Sequence, residues 1–197
     1  MNLLYPRIAH GDLRVMLAWA LVGGCIGGLY GIVHDQLTFS LSPEYFTRFK
    51  FRQFAWADFG QAPRIFAGTV GFFAAGSVGA GAAWFLARLA APFTPSDTIV
   101  RALVPMGIVA AGGTAGGAVG FLLGCTRRAN PDLSNWEPVL AAFDVVDGPG
   151  FVHVAYVHNA GYIGSLAGLL VAAFVVRRCR RRKSQSKRPR TREDPFR

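Results

Sequence analysis

The chain has 197 residues, of which 52% are hydrophobic and 16% charged, with 24 glycines and a formal charge of +10. That composition excludes a disordered or coiled-coil chain. All acidic and basic residues fall outside four apolar windows, 15–33, 65–86, 102–125 and 152–176. Each window is long enough to cross roughly 30 Å of hydrocarbon at about 1.5 Å per residue, so the sequence predicts an integral membrane protein.

The first window follows Arg7 and Arg14, as a secretory signal would. It is too long for a signal core and runs into Tyr30, Gly31, Ile32, Val33, His34 and Asp35 instead of a small-residue cleavage site, so it reads as a retained helix. In the loop 34–64, Ser42, Pro43 and Glu44 stand in the order of a helix start: an oxygen-bearing cap, a proline, then an acid at the positive end of the dipole. A short outer amphipathic helix from Pro43 to about Phe54 is expected. Its Tyr45, Phe46, Phe49, Phe51 and Phe54 interleave with Arg48, Lys50 and Arg52, which suits a helix lying in the membrane interface; a cap packed over the bundle is the alternative.

The connection 87–101 contains Pro92, Pro95 and a candidate cap at Ser96 or Asp97, and reads as a turn. Pro105 falls in the first turns of the third helix, where its missing N–H is tolerated. Asp144 and Asp147, in FDVVDGPG, read as turn residues in the second outer loop. The segment 177–197 holds eleven Lys or Arg against Glu193 and Asp194, a net +9, which leaves about +1 for everything before it. It reads as a disordered cytoplasmic tail whose Arg177, Arg178, Arg180, Arg181, Arg182 and Lys183 meet anionic lipid headgroups. No aromatics interleave these bases, so nucleic acid is not the expected partner. With both termini inside, fifteen basic residues lie inside and six outside, in keeping with the positive-inside rule. Cys25, Cys125 and Cys179 form neither a CxxC pair nor a disulfide framework.

Glycine spacing predicts how the spans pack. Gly112, Gly116, Gly120 and Gly124 recur every four residues in the third span, with Gly113 and Gly117 beside them; Gly23, Gly27 and Gly31, with Gly24 and Gly28, repeat the device in the first. The second and fourth spans add Gly68, Gly71, Gly76, Gly79 and Gly81, and Gly161, Gly164 and Gly168. Helices in lipid associate through close backbone approach, so these stripes predict an all-α, compact, glycine-rich four-helix transmembrane bundle with little central volume. Contact with a second copy or another membrane protein is the other use such stripes serve. The likeness of the first and third spans hints at an internal repeat.

Polar residues gather toward one leaflet. The candidate site comprises His34, Asp35, Glu44, His153, His158 and Asn159, with His34, His158 and Asn159 near the ends of apolar spans, where an unpaired polar group is costly. Such groups can bind a metal or relay protons; the plainer expectation is that they hydrogen-bond one another and the loops, fixing a lid. His153 and His158 are five apart and diverge by about 140° on a helix, so they do not chelate one ion together. No metal or cofactor is assigned.

The stretch Tyr30 to Phe54, YGIVHDQLTFSLSPEYFTRFKFRQF, with Val157 to Leu170, VHNAGYIGSLAGLL, resembles an uncharacterised group of bacterial multi-pass membrane proteins that share an HDQ-T-SPEYFT-F-F-QF segment after the first helix. The resemblance implies a small bacterial inner-membrane protein and no particular activity. P-loop, HExxH, GxSxG and kinase signatures are absent from the sequence. The leading expectation is a structural or accessory membrane protein that meets lipid or partners through its outer lid and basic tail. A small transporter or proton-linked permease, and a metal-dependent membrane enzyme, are the alternatives.

Overall fold

The computed structural model describes residues 8–93, 99–129 and 131–186. Four long helices dominate: α1 (His10–Leu41), then, after a π-helical turn (Tyr45–Lys50), α2 (Phe51–Gln53) and a 3-10 turn (Ala55–Ala57), α3 (Pro63–Ala90); after a 3-10 turn (Ile99–Ala102), α4 (Leu103–Ala129); and, after α5 (Glu137–Ala142), α6 (Gly148–Ser186). No strand occurs among the described residues. The four long helices are long and apolar enough to cross a membrane, so the chain is an all-α, multi-pass membrane protein.

All four long helices outrun their apolar windows, α1 and α6 the furthest. α1 continues past Val33 to Leu41 because HDQLTFSL contains neither Gly nor Pro, and it stops where Ser42 precedes Pro43. Thr38 and Ser40 settle their hydroxyls within that extension, donating to the carbonyls of His34 and Gln36 at 2.9 and 3.1 Å. α6 continues from Val176 to Ser186, so residues 177–186 of the expected disordered tail are helical; Arg, Lys and Gln are good helix formers. Residues 187–197, with Glu193 and Asp194, and the expected cap at Ser96 or Asp97 lie outside the described residues. α6 begins with a true cap, the Asp147 carboxylate accepting from the Gly150 N–H at 3.0 Å. The cap expected at Ser42 is not made, since that buried hydroxyl has no partner.

The glycines divide the bundle into two tight hairpins. In α1 and α3, antiparallel to one another, Gly23 faces Gly79, Gly27 faces Ala75 and Gly31 faces Gly71; a Cβ placed on any of these three α1 glycines would fall on the carbonyl oxygen opposite. In α4 and α6, Gly112 faces Gly164, Gly116 faces Ala160 and Gly120 faces Tyr156, again backbone on backbone. Gly124 departs from the pattern: it seats the ring of His153. The two hairpins are built from one sequence pattern. GGxxGGxxG runs from Gly23 to Gly31 and again from Gly112 to Gly120, and AGSVGAGAA (75–83) on α3 answers AGYIGSLAG (160–168) on α6 in the matching register. Opposite the zipper face of α1, Leu21, Leu29, Val33 and Leu37 are exposed in a helical stripe, as hydrocarbon-facing residues should be.

Between the hairpins, buried apolar packing gathers toward the two ends, and Tyr30 of α1 reaches Gly113 of α4 between them. At the end where α1 begins and α3 ends, Met16, Trp19, Leu86, Ala102, Met106 and Ala172 form one buried cluster. At the other, Phe39, Tyr45, Phe46, Phe151, Val152 and Val154 form a second. The expected lack of central volume applies within each hairpin, where glycines bring the backbones together, and not between them.

Leucine at Gly27 or Gly116 must push the paired backbone away. Each substitution is expected to cost about 1–3 kcal/mol or more, read as a lowered thermal midpoint in detergent, while leucine at Gly81, which faces open space and not the helix contact expected of it, leaves the midpoint unchanged.

Candidate functional site

Asp35 is the next step of the glycine stripe 23, 27, 31 on α1, so its carboxylate projects into the bundle instead of toward lipid. Its partner arrives from the lid. Lys50, the last residue of the π-helical turn, places Nζ 2.7 Å from Asp35 Oδ2, with side-chain exposures of 6% and 2%. The ammonium also lies 5.3 Å from the centre of the Phe46 ring, a cation–π contact. π-helical turns are uncommon and recur at functional positions. Burial lowers the pKa of Lys50 from the ordinary lysine value, against the opposing pull of Asp35.

Two imidazoles complete the cluster. His158, ten residues into α6 and 3% exposed, points Nε2 at Asp35 Oδ1 from 3.8 Å, too far for a hydrogen bond, and that nitrogen has no partner. His34, partly buried on α1, stands edge-on to His158 with ring centres 4.6 Å apart and stacks on Tyr30 at 5.6 Å. One donor atom from each of His34, Asp35 and His158 lies within 4.8 Å of the others.

The segment expected to lie in the interface instead caps the bundle. Tyr45 stacks face to face on His158 at 5.0 Å, Phe46 is fully buried, and Phe49 packs edge-on to Phe143 and Phe151. The aromatic spacing that fits no simple period reflects the π-helical winding, which turns residues 45, 46, 49 and 50 inward together. Burial raises the pKa of the Tyr45 phenol above its ordinary value. Glu44 ties the two outer loops, accepting from the Val146 and Asp147 backbone N–H groups at 3.0 and 2.6 Å.

Below the cluster a cavity of about 80 Å³ runs between the hairpins. Tyr30, His34, Asp35 and Lys50 line its lid end along with His158, Tyr162 and Ser165; Ile26, Val78, Met106 and Val109 line the remainder. The two buried clusters lie at its ends, while the half-exposed Val78 and Tyr162 on its wall leave it partly open along its side.

His34, Asp35 and His158 therefore come together, and Glu44, His153 and Asn159 do not join them. Glu44 serves the loops. His153 is buried against Gly124 and Phe121 with neither ring nitrogen partnered, and Asn159 is exposed. Lys50, Tyr45, Tyr30 and Tyr162 also surround the cluster without being marked by the sequence, in which nothing separates Lys50 from Arg48 and Arg52. Of the basic residues at the end of α6, Arg177, Arg178, Arg181 and Arg182 are exposed or partly so, while Arg180 donates to the Leu89 carbonyl at 3.2 Å, fastening α6 to the end of α3; Lys183 follows on the same helix. Cys25, Cys125 and Cys179 are free thiols at the surface.

Replacing Glu44 by Ala removes the acceptor shared by the two loop amides. Hydrogen exchange is expected to speed up at Val146 and Asp147 by at least tenfold, with the amides of the glycine zippers unchanged; equal protection in the variant would contradict the tie. Compared with known protein families, curated proteins and solved structures, the chain matches none.

Proposed function

We propose that the protein is a small membrane transporter whose solute site is the chamber between the two hairpins. The observation that carries this reading is the Asp35–Lys50 pair, withdrawn from solvent beside an unpartnered His158 nitrogen on the wall of a cavity between the hairpins. A bundle with only a structural task gains nothing from such a pair, because apolar side chains of similar volume fill the space at equal or lower free energy. Ionisable groups inside a membrane domain mark ion and solute pathways. The doubled hairpin supports the reading too: two parallel repeats around an axis along the membrane normal, with the polar site at their junction, is a plan that carriers use. The hairpins touch chiefly at their ends, where rocking one against the other opens one cluster while the other stays shut. In this account the basic end of α6 holds its side of the protein against anionic headgroups, in the cytoplasmic orientation that the charge bias favours.

Water access separates a carrier from a solid structural core. In a chain whose three cysteines are replaced by serine, Ser165→Cys reports on the chamber and Ser77→Cys, exposed on the hydrocarbon face of α3, is the control. A charged methanethiosulfonate applied to right-side-out and inside-out vesicles is expected to modify the cysteine at 165 from both sides, well above the rate at 77. Protection of position 165 from both sides would overturn the reading.

A further inference from the structure

We infer that His34, Asp35 and His158 form a binding site for a divalent transition-metal ion, and that Lys50 is a tethered cation which this ion displaces. The inference rests on the transport reading and names the class of its cargo.

The donor set selects the ion. Two imidazoles and one carboxylate suit zinc, cobalt, nickel, iron or manganese, whereas magnesium, calcium and the alkali ions take oxygen. The three donor atoms lie within 4.8 Å of one another. A tetrahedral shell at about 2.0–2.2 Å spaces its ligands about 3.5 Å apart, so side-chain rotations that close roughly 1 Å complete three corners and leave the fourth for water. The independent sign of a missing ligand is His158 Nε2: its residue is 3% exposed, and the nitrogen faces Asp35 Oδ1 from 3.8 Å without a hydrogen-bond partner. A buried imidazole nitrogen without a hydrogen-bond partner is costly, and a metal satisfies it in the tautomer whose proton sits on Nδ1. Both rings are already held in place, His158 by the Tyr45 stack and His34 by the Tyr30 stack, which fixes ligand orientation before the ion arrives.

Lys50 explains how such a site exists without its ion. A bare carboxylate in the chamber would be prohibitively costly, and the ammonium at 2.7 Å supplies the countercharge. A dication at Asp35 repels that ammonium at short range, so the two occupy the site in turn. Lys50 ends the same short turn that carries Tyr45 and Phe46. Its departure therefore pulls on the aromatic cap, and its return refills the site after the ion leaves. Cargo and lid are coupled through one side chain, with no group required to gain or lose a proton.

Cobalt(II) is the probe, added to the purified full chain in detergent without a polyhistidine tag. The expected result is one equivalent bound with visible d–d bands of a nitrogen–oxygen site and no thiolate charge transfer. His34→Ala and His158→Ala are expected to weaken binding at least tenfold. Lys50→Met is expected to tighten it at least tenfold, a gain that misfolding cannot produce. Absence of the bands in the wild-type chain, their persistence in both histidine variants, or unchanged affinity in Lys50→Met would overturn the inference. Cobalt binding in a chain whose Ser165→Cys form is shielded from both sides keeps the metal site and removes transport; labelling from both sides without cobalt binding removes the metal site alone.

Discussion

An ammonium and a carboxylate 2.7 Å apart, both nearly sealed from solvent, fix the lid end of this protein. Neither charge is tolerable there without the other, because each loses several kcal/mol of hydration that only close pairing restores. Asp35 is set on the helix by its register with Gly31, and Lys50 must therefore come to it. The consequences spread outward: the chain folds back after Leu41, winds into a π-helical turn, and lays Tyr45 and Phe46 over His158. Glu44 then anchors the same turn to the loop that starts α6.

The glycine zippers provide the rigid surroundings in which that pairing works. Backbone-to-backbone contact within α1–α3 and within α4–α6 makes each hairpin a stiff unit, since a bilayer offers no hydrophobic gain for loose helix association. The junction between units is different, with side-chain packing at its two ends and a chamber in the middle. The repeated pattern is asymmetric where chemistry is concerned. Where α1 continues its stripe with Asp35, α4 has Gly124; where α6 carries His158, the matching position of α3 is Phe73. The polar site is thus assembled once, from one half-set of residues in each hairpin.

Much of this architecture is legible in the sequence. Apolar runs free of charge give the four spans, and i, i+4 glycines give the faces that meet. The pairing of α1 with α3 and of α4 with α6 is readable only through register, because Gly71, Ala75 and Gly79 must be set against Gly31, Gly27 and Gly23 before the two hairpins emerge. His34, Asp35 and His158 are marked by their place at the ends of apolar windows. Lys50 is not, since its sequence neighbours Arg48 and Arg52 look equally solvated, and only the wider winding of a π-helix singles it out as buried. Glu44 and His153 illustrate the reverse: proximity along one leaflet suggests a shared site, yet loop hydrogen bonding and packing against Gly124 send them elsewhere.

The account stands on the Asp35–Lys50 pair, and a double-mutant cycle on the thermal midpoint in detergent tests it most directly. Asp35→Asn and Lys50→Met each strand one buried charge, a loss of about 3–5 kcal/mol, and the double variant is predicted to recover most of the midpoint because neither charge remains. Losses that simply add, or single variants as stable as the wild-type chain, would show that the two residues do not meet inside the bundle and would contradict the account.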